Sequence, residues 1–296
     1  MAYPLHGESG KWTSVTNATD LDNLLEVMVR TNQIVLNYST AVQDTSGDGG
    51  TTTTRAMGLA DWTVNFSGIY PKAAPRIGNS GLVTYGSGST YRVSAWTMNF
   101  DFGEHEITAF DASPTIGRQY RPGIRPIVNG TYTAHASSAA ALVLPSAASV
   151  AGVSSSAAAT FKMMEDTTDP AYSGNIFVSQ LGLTTGGRDL VQAQYSYEFD
   201  GTVTATSGTN YIVPYPNLTV AGGGSATGAV DMPDWGDGTT GPSTVAATFE
   251  LDSSRTWACS GTGSWVYLRS LSINVTPGDL IRISGVLRGS GSLTPA

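Results

Sequence analysis

Apolar side chains fall on every second residue in run after run of this chain, and that period sets the fold class before anything else does. Trp62, Val64 and Phe66 alternate with more polar neighbours, as do Trp96, Met98, Phe100 and Phe102, then Val191, Ala193, Tyr195, Tyr197 and Phe199, then Leu271, Ile273 and Val275, with Ile281 and Ile283 behind them. Successive side chains of a strand point to opposite faces, so each run buries one face of a sheet and leaves the other wet. Clusters of Gly, Ser, Thr, Asn and Pro at 47–54, 86–90 and 221–242 separate the runs and read as loops. A helical period appears once, over Ala18–Arg30, where Leu21, Leu24, Leu25 and Val29 follow Thr19 and Asp20 as candidate N-caps. The expectation is a mainly β, antiparallel protein with one short flanking helix.

The chain also repeats itself. Ala158-Ala159-Thr160-Phe161 returns as Ala246-Ala247-Thr248-Phe249. Leu181 to Leu190, with Asp189 near its end, returns as Leu271 to Leu280 with Asp279, an offset of 90 that also carries Gly201-Thr202-Val203-Thr204 onto Gly291-Ser292-Leu293-Thr294. Each copy reads as strand, loop, strand, tight turn, strand, and the turn aspartates read as side chains bonding local backbone. A second pairing, Met57-Gly58-Leu59 with Pro122-Gly123-Ile124, has an offset of 65. Together the pairings interleave and predict two similar β-sandwich or barrel units, one nested in the other: 80–206 inserted between 1–79 and 207–296.

The chemistry inventory is thin. Charged residues make up 13% of the 296, and 15 Lys and Arg against 23 Asp and Glu leave a net charge of −8, which repels the phosphates of nucleic acid. Cys259 is the single cysteine, so one chain holds neither an intramolecular disulfide nor a cysteine-cluster metal site. The three histidines are His6, His105 and His135, and only His105 is flanked by carboxylates, Glu104 and Glu106, which a strand turns to the opposite face. Glu165 and Asp166 sit side by side in a turn-rich stretch, which does not set two acids across a substrate. Asp231, Asp234 and Asp237 in the Gly-rich loop lack the spacing of a helical calcium site. The expectation is no enzyme, no cofactor and no metal. No stretch reaches the roughly 18 apolar residues of a membrane span, and the first residues lack a basic start and apolar core, so neither a membrane partner nor export is expected.

Several segments resemble the tail tube, or major tail, proteins of long-tailed phages: Ala246 to Trp257, Trp265 to Gly285 with its Gly-Asp-hydrophobic turn, and the closing Arg288 to Leu293. Ala158 to Thr204 looks like the same element, and Met57 to Val64, Trp96 to Phe110 and Arg121 to Ile124 look like the front half of that fold. The resemblance implies a structural virion protein, assembled in the host cytoplasm and located in the tail. Its subunits would stack as rings into a conduit for DNA, beside other tail proteins. The acidic inner wall of that family agrees with the net charge of −8. With two fold copies per chain, three chains would close a pseudo-sixfold ring by heterologous contacts; six chains with one outward unit each is the alternative. A capsid decoration or receptor-binding virion protein is the competing function. Along Val191–Asp200 the polar set Gln192, Gln194, Ser196 and Glu198 alternates with the apolar one, and Arg282, Ser284 and Arg288 hold like positions in the later strand. These face outward by alternation, and Gln192, Gln194, Ser196, Glu198, Arg282 and Ser284 are the candidate lumen-facing residues.

Overall fold

The computed structural model describes residues 11–14, 30–45, 55–69, 82–85, 89–106, 108, 117–122, 127–135, 156–162, 171–185, 191–206, 213–214, 218–221, 229–230, 247–252, 255–259, 265–276 and 278–295. All regular elements among them are strands. In chain order they are β1 (Lys11–Ser14), β2 (Arg30–Asp44), β3 (Arg55–Ile69), β4 (Leu82–Tyr85), β5 (Ser89–Asp101), β6 (Glu104–Glu106), β7 (Tyr120–Pro122), β8 (Ile127–His135), β9 (Ala157–Lys162) and β10 (Ala171–Thr184). There follow β11 (Gln192–Thr206), β12 (Val213–Pro214), β13 (Leu218–Ala221), β14 (Ala229–Val230), β15 (Ala247–Asp252), β16 (Arg255–Cys259), β17 (Trp265–Val275), β18 (Arg282–Ser290) and β19 (Thr294–Pro295). The helix expected over 18–30 lies outside the described residues except for Arg30, which opens β2.

Six strands close on themselves. β4 pairs β5, β5 pairs β8, β8 pairs β11, β11 pairs β10, β10 pairs β9 and β9 returns to β4, all antiparallel. The alternating apolar residues fill the interior of this barrel with aromatic rings. Tyr132 stacks on Tyr195 with centroids 4.6 Å apart, and Phe161 stacks on Tyr197 at 4.5 Å. Trp96 tilts against Phe161, and its indole N–H donates to the Lys162 carbonyl at 3.0 Å. The Tyr197 hydroxyl donates to the Thr97 carbonyl at 2.8 Å, and a Cβ at Gly130 would collide with both groups. Burying each such side chain contributes roughly 1.5–3 kcal/mol, and the ring geometry adds specificity.

From the barrel the sheet runs on. The edge of β5 that pairs β4 at residues 89–92 pairs β17 at 96–101, after a register irregularity of its β8 pairing between Val93 and Ala95. β17 pairs β18, β18 pairs β3 and β3 pairs β2, so the C-terminal hairpin lies between two strands of the N-terminal half. Glycines opposite aromatics let β18 lie close: a Cβ on Gly285 would stand 2.6 Å from the Phe66 ring, and one on Gly289 would overlap Trp62. Trp62 in turn donates its indole N–H to the Gly291 carbonyl at 3.1 Å. In a separate four-stranded sheet, β1-β15-β16-β19, strand β16 ends at the buried Cys259, whose Sγ lies 4.0 Å from the Ser290 carbonyl.

The hairpins β10–β11 and β17–β18 share one register. Leu181 stands opposite Tyr195 as Leu271 stands opposite Gly285, and both ladders slip at one residue, Ser179 in the first and Arg269 in the second. Gly201 and Gly291 both adopt positive φ, 84° and 83°, which glycine alone enters without strain. All these pairs are 90 apart. Tyr195 faces Tyr132 on β8 and Gly285 faces Phe66 on β3, so these two strands correspond at 66. The glycine pairing expected from the sequence has an offset of 65, one less, and Gly123 itself lies outside the described residues. Trp96 on β5 likewise corresponds to Ile34 on β2, at 62.

Candidate functional site

Opposite its core, the long sheet carries a largely polar face, with Val35, Val286 and Ile127 in one of its rows. Reading straight across the paired strands, one row runs Gln33, Ser67, Ser284, Ser272, Asn99, Asn129, Glu198. The next row runs Arg282, Asn274, Thr97, Thr131, Ser196, Gln180. The row on the other side runs Val35, Asn65, Val286, Ser270, Asp101, Ile127. Strand alternation sends each of these to one side because their neighbours, Phe66, Ile283, Ile273, Met98 and Tyr197 among them, are sequestered on the other.

The side chains of this face bond to one another across the strands. The Ser272 hydroxyl donates to Asn99 Oδ1 at 2.7 Å, the Asn99 amide donates to Asn129 Oδ1 at 3.4 Å, and the Thr97 and Thr131 hydroxyls lie 3.0 Å apart. Such ladders hold short side chains flat on the sheet. A shallow trough of about 620 Å³ lies along it, lined by polar residues such as Ser272, Asn99 and Ser284 and also by Val35, Leu271 and Val286. Formal charges in the three rows are Asp101, Glu198 and Arg282, and Arg282 is held 3.6 Å from Asp279. The face is therefore close to neutral, where the family resemblance leads one to expect an acidic wall.

Ser196, Glu198, Arg282 and Ser284 lie in these rows, and Gln194 and Gln192 continue the line along β11, opposite Thr133 and His135 of β8. All six sequence candidates thus share one sheet face, with Ser196 half-buried and the other five exposed. Arg288 shares their strand face but not their exposure. The excursion between β5 and β8, which carries the β6–β7 hairpin, folds over this end of the sheet. Its Tyr120 ring lies 3.7 Å from the Arg288 guanidinium. Arg288 ion-pairs with Asp61 at 2.7 Å and with Glu104 at 3.2 Å, and only 7% of its side chain remains exposed. Tyr120 also donates its hydroxyl to Asp61 at 3.3 Å. Backbone bonds from Arg118 N–H to the Ala60 carbonyl and from Gly291 N–H to the Arg118 carbonyl tie the excursion to β3 and the C-terminus.

Glu104 and Glu106 are spent on arginines, Glu104 on Arg288 and Arg269 and Glu106 on Arg118, while His105 stays exposed. The Asp279 carboxylate accepts from the Leu280 N–H at 2.7 Å, the local turn bond its position foretells. Glu165, Asp166, Asp189, Asp231, Asp234 and Asp237 lie outside the described residues. Among the described residues no three His, Cys, Asp or Glu side chains gather as metal ligands, and no helix is long and apolar enough to cross a membrane. Burial pushes the Cys259 thiol up to about 12, so it is an inert packing group. Compared with known proteins, the chain matches no family model, no curated protein and no solved structure.

Proposed function

We propose that this chain is a structural virion protein of the tail-tube kind, polymerising into stacked rings whose inner wall is the polar face of the long sheet. The observation that carries the reading is the β17–β5 junction. It joins two strand sets of matching register edge to edge, so the polar rows pass from one to the other unbroken. Two units of one fold, 1–79 with 207–296 and 80–206 nested between them, account for this. Three such chains per ring give six like positions around an axis.

A wall mainly of Ser, Thr, Asn and Gln, with Val35, Val286 and Ile127 among them, suits a conduit for DNA. It offers water-like hydrogen bonds and almost no cationic group to displace the counterions of the duplex, so it has little means of holding it. Repulsion by a strongly acidic wall is not needed for passage. Electron microscopy of the purified protein at rising concentration tests the reading: hollow tubes or stacked rings are expected. Monomers at every concentration refute it, and discrete small trimers without an axial channel favour a capsid decoration or receptor-binding protein.

A further inference from the structure

We infer that β2 of one chain pairs antiparallel with the free half of β10 of a second copy, in the register Tyr38 opposite Leu181 and Leu36 opposite Leu183. This deepens the tube reading and rests on it for the occupant, a second copy of the same chain.

The internal junction is the template. Asp101 faces Ser270, Phe100 faces Leu271 and Met98 faces Ile273 where β5 meets β17. Each partner has a counterpart elsewhere in the chain, β17 in β10 at 90 and β5 in β2 at 62, as the shared registers establish. Moving the junction by those offsets places Ser39 against Gln180, Tyr38 against Leu181, Asn37 against Gly182 and Leu36 against Leu183.

Both counterpart edges stand open. Among the described residues β2 pairs only with β3, and β10 pairs β9 no further than Ile176, leaving its second half bonded to β11 alone. Fifteen residues of β2 with one edge unpaired form a long template for strand addition.

The side chains report the same vacancy from both sides. Phe100 is 0% exposed at the internal junction, but its counterpart Tyr38 is 46% exposed. Ile273 is 1% exposed, but its counterpart Leu183 is 54% exposed. Of the four apolar residues at these matching positions, Tyr38, tilted against Trp257, and Leu183 are exposed where a second strand set is absent, while Leu36 and Leu181 are half-buried against the core. The polar rows gain the Asn37–Gly182 pair in the same step, at the place the Asn99–Ser272 pair holds internally. The contact is heterologous, since β2 and β10 are different surfaces, so it propagates until a ring closes.

The test uses the full chain carrying Asn37→Cys and Gly182→Cys. Gly182 has room, because an added Cβ would meet nothing nearer than the Gln194 carbonyl at 3.9 Å, and the buried Cys259 stays silent. Directly opposed residues bring Cβ atoms to about 5 Å, within reach of a short bifunctional thiol reagent. Covalent oligomers on a denaturing gel are expected, at least tenfold above those from Asn37→Cys with Asn175→Cys, a pair out of register. Leu183→Lys, at a position bare in the single chain, is expected to leave folding intact and to raise the concentration needed for assembly at least tenfold. Tubes that form without the 37–182 link and tolerate Leu183→Lys overturn the seam and leave the tube reading standing. A 37–182 link in objects that are not hollow tubes supports the seam and overturns the tube reading. A chain that stays monomeric overturns both.

Discussion

Replacing Arg288 by Met tests whether the excursion carrying β6 and β7 is held by charge or merely by shape. Met fills much of the arginine stem, so the loss is mainly electrostatic. Removing one partner of a buried ion pair costs about 3–5 kcal/mol, because the charge left behind has lost its partner without regaining water. Asp61 and Glu104 retain 30% and 27% of their side-chain exposure, which brings the cost to the low end of that range or below. Loss of the guanidinium over Tyr120 adds about 1 kcal/mol. The expected destabilisation is about 3 kcal/mol, a fall in Tm of roughly 5 °C for a chain of this length. Hydrogen exchange should quicken in 104–122 ahead of the barrel. Adding Asp61→Asn to Arg288→Met should recover part of the loss, since Asp61 is then no longer a carboxylate without its cation, while Glu104 keeps Arg269 at 3.5 Å. An Arg288→Met protein within about 0.5 kcal/mol of the parent, or one whose exchange quickens uniformly, refutes the assignment of Arg288 as the pin.

Two further outcomes follow from buried groups. The Tyr267 hydroxyl is buried without a hydrogen-bond partner among the described residues, so Tyr267→Phe should leave stability unchanged or raise it by up to about 1 kcal/mol in chemical denaturation; a clear loss would mean that the hydroxyl is satisfied. Burial raises the Cys259 thiol and the Tyr197 and Tyr267 phenols above their ordinary values, so the folded state keeps protons that the unfolded chain gives up. Stability should therefore be full below about pH 8.5 and fall as pH rises past the unfolded values near 9 and 10, by about 1.4 kcal/mol per pH unit for each group. Denaturant titrations from pH 7 to 11 check the slope, and Cys259 should react with thiol reagents only on unfolding.

The parts of the fold that could be read in the sequence are those where burial is one-sided and local. Trp96 to Phe102 and Val191 to Phe199 alternate cleanly because each strand has core on one face and solvent on the other. The 90-residue offset is legible as matching residue patterns, and the two hairpins share a ladder irregularity and a positive-φ glycine. β2 was not legible as a strand: Ile34, Val35, Leu36 and Tyr38 put apolar groups on both faces, which blurs the period. The 65-residue pairing rests on a short glycine motif, while the match of β3 with β8 drawn from the residues that face a common partner has an offset of 66. For the candidate face, alternation supplied the six residues on β11 and β18 but nothing of Asn99, Asn129 or Ser272, which are ordinary polar residues until the pairings align them. Arg288 was read as one more outward residue, since its partners Asp61 and Glu104 lie far away in the chain and leave no local mark.

The position of β17 and β18 between β5 and β3 bears on how the chain is made. During synthesis the barrel strands from β4 to β11 are complete before residues 265–290 exist. Until then β3 lacks its β18 neighbour and β5 its β17 neighbour over 96–101. Contacts spanning about 170 residues of sequence (β5–β17) or about 220 (β3–β18) form slowly, and exposed strand edges are what aggregating intermediates share. The β17–β18 hairpin is thus the keystone of the sheet. A chain lacking residues 267–296 would retain its barrel strands and leave β3 and β5 without their β18 and β17 neighbours.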